Sequence, residues 1–135
     1  MIEASFPVYH RRARQLASAM KLCQVEMSEY ASAAALLAVH SAISYSDALL
    51  IVLGGKRPRA ENHRKAITAL KRACTGANIE PRGITHLQKL LSVKTDISYG
   101  DKPVDEVRIN ALCESAKRFE TWAEQVLYSR EGRLS

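Results

Sequence analysis

Between Val8 and Leu53 the chain contains neither glycine nor proline, and that absence constrains the fold more than any other feature. Good helix formers fill the stretch. A single helix over it would be about 70 Å long at 1.5 Å per residue. A compact domain of 135 residues has a radius of gyration of only about 14 Å. The chain must therefore turn back inside the run, and Ser28, a residue suited to capping a helix, is the expected breakpoint. Tyr9, Ala13, Leu16, Met20, Cys23, Met27 and Tyr30 recur at three-and-four spacing and mark the apolar face of the first helix.

Punctuation returns at Gly54-Gly55, a helix stop, and Pro58 sets a loop. A short third helix opens at Glu61 or Asn62, faces Ala66, Ile67, Leu70 and Cys74 inward, and ends before Gly76. Pro81 suits the first position of a fourth helix, whose buried face is Ile84, Leu87, Leu90 and Leu91 and which fades near Tyr99-Gly100. The last helix has Pro103 in its first turn, with Asp105 and Glu106 at the positive end of its dipole. Ile109, Leu112, Ala116, Phe119, Ala123 and Val126 form its near-heptad stripe. Nothing reads as a strand. The expectation is one all-α domain over residues 1–135, an up-and-down four-helix bundle with an additional short helix.

Several function classes are unsupported by the residues. The stretch Ala33 to Leu53 is interrupted by His40, serines and Asp47, which argues for a central bundle helix rather than a membrane span. The N-terminus lacks the layout of a secretory signal. Cys23, Cys74 and Cys113 are odd in number and far apart, so they read as reduced thiols in a cytoplasmic protein. No metal site is expected, because the ligand spacings of a bundle di-metal centre are missing. No cofactor is implied either: Gly54-Gly55-Lys56 follows a helix and lacks the full phosphate-loop pattern. Ser41, Ser44 and Ser46 stand near His40 without a nucleophile motif.

Two features invite binding. His40, Ser44 and Asp47 are spaced to share one side of the second helix, next to Leu36, Ile43 and Leu50, and a carboxylate there needs compensation. His63 opens the third helix and is expected to meet Asp47 or His40 across the bundle; His10 and His86 read as surface or edge residues. Lys56, Arg57, Arg59, Arg64, Lys65, Lys71 and Arg72 then stand against a single acid, Glu61, within a net charge of +6. Arginines offer planar paired donors to phosphate. Near this cluster only Tyr45 and Tyr99 are placed to stack on a base, so single-strand binding on aromatic platforms is not expected.

The helix Ala38-Val39-His40-Ser41-Ala42-Ile43-Ser44-Tyr45-Ser46-Asp47, the basic loop with His63, the pattern Leu87-x-x-Leu90-Leu91-x-x-Lys94 with Tyr99, and Ala116-Lys117-Arg118-Phe119-Glu120-Thr121-Trp122 together resemble the HEPN domain family (higher eukaryotes and prokaryotes nucleotide-binding). The likeness covers roughly Met20 to Leu127. It implies an up-and-down helical bundle that dimerises and pairs with a small nucleotidyltransferase, as in toxin–antitoxin systems. Many members are metal-independent ribonucleases using Arg-x(4–6)-His, a spacing that Arg57 and His63 match. Pro58 follows Arg57, however, and residues 96–103 near the last helix hold no Arg or His. The chain therefore reads as a non-catalytic module that binds a nucleotide, RNA or a nucleotidyltransferase through Arg57, Arg59, His63, Arg64 and Lys65, with His40, Asp47 and Tyr99 shaping the site beneath. The alternative is a toxin-type endoribonuclease using Arg57 and His63.

Overall fold

A computed structural model describes residues 2–54, 63–94 and 105–134. These form five helices, α1 (Ile2–Val25), α2 (Met27–Val52), α3 (His63–Gly76), α4 (Ile84–Ser92) and α5 (Glu106–Leu134), with no strand among the described residues. The chain is all-α, as its periodicity predicts.

The turn in the long run falls at Glu26, two residues before the expected Ser28. Glu26 takes φ −116° and ψ 55°, and its amide donates to the Cys23 carbonyl at 3.2 Å. Because that φ is negative, the break needs no glycine, which is why the sequence marks it so weakly. Tyr30 takes a second non-helical conformation just inside α2 and is 50% exposed. It therefore leaves the expected apolar stripe, and Ala17 joins Ala13 and Met20 on the buried side.

Alpha1 and α2 pack extensively on one another, and small residues of both, Ala13 and Ala17 on α1 and Ala34, Ala35, Ala38 and Ala42 on α2, belong to one core cluster. Alanines let two helix axes approach closely. Alpha2 packs most extensively on α1 and α5 and sends Tyr45, Leu49 and Leu50 into the centre. By length and hydropathy it would suffice to cross a bilayer, yet 67% of its most apolar window is buried inside the protein, as a central core helix requires.

The remaining stripes land where their spacing puts them. Leu70 and Cys74 of α3 are buried, with Ala66 and Ile67 half-covered. Ile84, Leu87, Leu90 and Leu91 of α4 face inward, as do Ile109, Leu112, Ala116, Phe119, Ala123 and Val126 of α5. The start of α4 and the end of α3 differ from expectation, whereas Asp105 holds its expected place at the start of α5. Pro81 precedes α4 in a turn, where the Arg82 amide donates to the Glu80 carbonyl at 2.9 Å, and the helix begins only at Ile84. Asp105 stands just ahead of α5, where its carboxylate accepts the Val107 amide at 2.9 Å and so satisfies one free N–H of the first turn. Alpha3 runs through Gly76 rather than ending before it.

Candidate functional site

The polar face of α2 is only partly buried. Ser44 is enclosed, Asp47 is half-buried and His40 is exposed. Beside them Leu50 is buried, Ile43 half-buried and Leu36 exposed. Asp47 lies near Arg12 of α1 and His40 near Lys94 beyond α4. Neither makes a hydrogen bond or ion pair with another described residue. Burial pushes the Asp47 carboxyl up to about 6, and the Arg12 guanidinium offsets only part of that rise. Burial, and then the charge of Lys94, hold His40 below its usual value. Arg64 and Lys65 project from the first turns of α3 and are exposed. Arg57, Arg59, Tyr99 and the side chain of His63 lie outside the described residues, and the expected meeting of His63 with Asp47 lies there with them.

The raised Asp47 value gives a pH signature. The folded chain retains this proton between the ordinary carboxylate value of 3.8 and about 6, while the unfolded chain has already lost it. Stability therefore falls as pH rises through that window and stays lower above it. Fully expressed, the difference is roughly 3 kcal/mol; because Asp47 reaches solvent, screening reduces it to about 1 kcal/mol. Asp47→Asn is expected to stabilise the protein by about 1 kcal/mol near pH 7.5 and to change little near pH 4, read by urea unfolding at both values.

A groove of about 580 Å³ lies where α2 ends against α3 and α5. Gly54, at φ +80°, closes α2 in a left-handed conformation that favours glycine. Ala69, Ala73 and Gly76 give the groove a shallow floor, and Arg72 and Arg130 line it without any acidic side chain. Asn78, at φ 60°, turns the chain out of α3, with the Ile79 amide donating to the Cys74 carbonyl at 2.8 Å; a short amide side chain tolerates that conformation. Arg130 donates to the Ala77 carbonyl at 3.2 Å and is thereby held at the rim. Two guanidinium groups around an apolar floor suit a phosphate attached to a larger body. His40 and Asp47 are not part of this lining.

A second constellation went unseen in the sequence. His10, expected to be an ordinary edge residue, directs Nε2 at both oxygens of Glu124, each at 3.0 Å. Tyr45 donates to the same carboxylate at 2.6 Å, and Glu120 nearby pairs with Lys21 at 2.8 Å. Phe6 stacks on His10, with ring centroids 5.3 Å apart. The group ties α1, α2 and α5 together. No local signal could have revealed it, because Glu124 lies 114 positions from His10 and 79 from Tyr45 in the chain. Tyr45 is 1% exposed, so it offers no face for a ligand to stack on. Burial, reinforced by Glu124, raises its phenol well above the usual value and keeps it a donor.

Cys23, Cys74 and Cys113 are free thiols. Burial raises Cys74 and pushes Cys113 up to about 11, which leaves both un-ionised and unreactive at neutral pH. No group of three or more metal-binding side chains occurs among the described residues. In comparisons with known proteins, no family model and no curated protein matches this chain.

Proposed function

We propose that this chain is a HEPN-like binding module, an up-and-down four-helix bundle with one extra short helix, that acts without catalysis in the cytoplasm. Its ligand is a nucleotide, a nucleic acid or a small nucleotidyltransferase, engaged through Arg57, Arg59, His63, Arg64 and Lys65. The observation that carries the reading is the groove where α2 ends: Arg72 and Arg130 line it without an opposing acid, and the basic segment continues directly from Gly54 at its edge. Leu22 and Val25 on α1, and Val107 and Tyr128 on α5, are each more than 70% exposed, which supports a homodimer.

The test is titration of labelled ATP and a short RNA against the wild-type chain and the Arg57→Glu/Arg59→Glu double variant, with light scattering of the same samples. The reading expects binding that weakens about tenfold or more in the double variant, as lost phosphate contacts dictate, in a species of twice the 15.0 kDa chain. Undiminished binding would remove the loop from the site. RNA cleavage in EDTA that His63→Ala abolishes would replace the module with a ribonuclease.

A further inference from the structure

The groove at the end of α2 is the first of three that join along α5. It shares Ala77 and Arg130 with a second groove of about 310 Å³. That one shares Arg82, Trp122 and Gln125 with a third of about 360 Å³ between α4 and α5. From Arg130 back to Lys117 the furrow follows α5 for about 20 Å at 1.5 Å per residue. Arg72, Arg130, Arg82, Arg118 and Lys117 line it, against Glu80 and Glu114. Both acids are already engaged, Glu80 by Arg82 at 2.8 Å and Glu114 by Lys117 at 2.9 Å. Neither Arg72 nor Arg118 has an ion-pair partner among the described residues. His86, beside Arg118, encloses an Nδ1 with no hydrogen-bond partner among the described residues, so it is not the plain surface histidine the sequence suggests.

An aromatic ring divides this furrow. Trp122 is half-buried, lines both the second and third grooves, and is seated against the backbone at Gly83. Its orientation is therefore fixed by the fold. The expectation against aromatic platforms weighed only Tyr45 and Tyr99; Trp122 is remote from the basic loop in sequence, and the helix packing brings it into line.

We infer that the furrow is a track for a single-stranded nucleic acid, with Trp122 stacking a base and Arg82, Arg118 and Arg130 following the phosphates. The inference rests on the nucleic-acid reading above and narrows it: the ligand is a strand rather than a mononucleotide, and its path extends from the end of α2 to α4. An excess of cations spread over about 20 Å matches a repeating anion better than a single one. At about 3.4 Å per stacked nucleotide the furrow accommodates about six. An acidic peptide would satisfy the charges but gives the indole no partner, whereas every base has a π-face to stack on it.

The chain holds one tryptophan, so its intrinsic fluorescence reports on this position alone. Oligonucleotides from a mononucleotide to about a dodecamer are titrated at about 50 mM salt, with poly-glutamate of matched length as a control. Affinity is expected to climb up to about six nucleotides and then level off, with quenching of Trp122. Arg82→Glu/Arg118→Glu, both at exposed positions, is expected to weaken binding about tenfold or more. If oligonucleotides bind while Trp122 fluorescence and the Arg82/Arg118 variant show no change, the furrow is wrong and the loop reading stands. A mononucleotide bound as tightly as a hexamer overturns the strand, again sparing the loop. Poly-glutamate binding equally well, with no base-dependent quenching, makes the surface a protein-docking face instead. If no nucleotide of any length binds, both readings fail.

Discussion

Glu124→Ala is expected to lower the unfolding free energy by about 1–3 kcal/mol, whereas Tyr45→Phe, which deletes the other end of the same hydrogen bond, is expected to cost about 1 kcal/mol. The asymmetry follows from where each group sits. Tyr45 is 1% exposed, so a phenol that loses its acceptor has no access to water. Glu124 keeps 38% of its side chain exposed, so a carboxylate that loses the phenol is rehydrated. Two details set the range. Glu120 stands 3.5 Å from the phenol, at the limit of hydrogen-bond reach, and is held by Lys21, so it recovers part of the loss. His10 loses the carboxylate that its Nε2 meets in the same substitution, which adds to it. Urea unfolding of the two single variants and the double variant decides the matter. If Tyr45→Phe proves as costly as Glu124→Ala, the phenol is not the enclosed member of the pair.

What the sequence discloses and what it conceals divide along the range of the interactions. Alpha4 and α5 are readable because each buries one face against neighbours of the same kind, and Ile84, Leu87, Leu90 and Leu91 need only local spacing to declare it. The stop after Leu53 is readable because the turn requires a left-handed residue and Gly54 supplies it. The Glu26 turn is not, because its negative φ is open to any residue. Pro81 misleads by one turn: its fixed φ suits a helix start, but it serves equally in the turn that leads to Gly83. The site follows the same division. Clustered arginines are visible as a run, whereas the continuation of their charge to Arg82, Arg118 and Arg130 exists only once α4 and α5 are packed. His10 illustrates the limit best, since a lone histidine on a helix edge gives no indication of a carboxylate 114 positions away.

The close juncture of Gly83 with Trp122 yields the other large effect. Gly83 has φ −75° and ψ −14°, a conformation any residue adopts, so the requirement for glycine here is one of space alone. A Cβ built at this position would lie 2.4 Å from Trp122 Cδ2 and Cε3 and 2.7 Å from Cγ, well inside van der Waals contact. Gly83→Ala must therefore displace the indole or part α4 from α5. Either movement disturbs Phe119, whose ring centroid is 5.7 Å from that of Trp122 and which is fully buried in the core. Overpacking of this kind costs about 1–3 kcal/mol, set against a few tenths gained from the less flexible unfolded chain. The net expectation is a loss of about 1–3 kcal/mol with a shift in tryptophan emission. Trp122→Ala costs stability by itself, but it removes the whole ring, Cγ included, that obstructs the new methyl group. In the double variant the Gly83→Ala penalty should shrink to near zero, a coupling that thermal unfolding of the four chains measures directly. Additive losses would mean that the indole and the glycine do not share this space, and the fixed aromatic wall of the furrow would go with them.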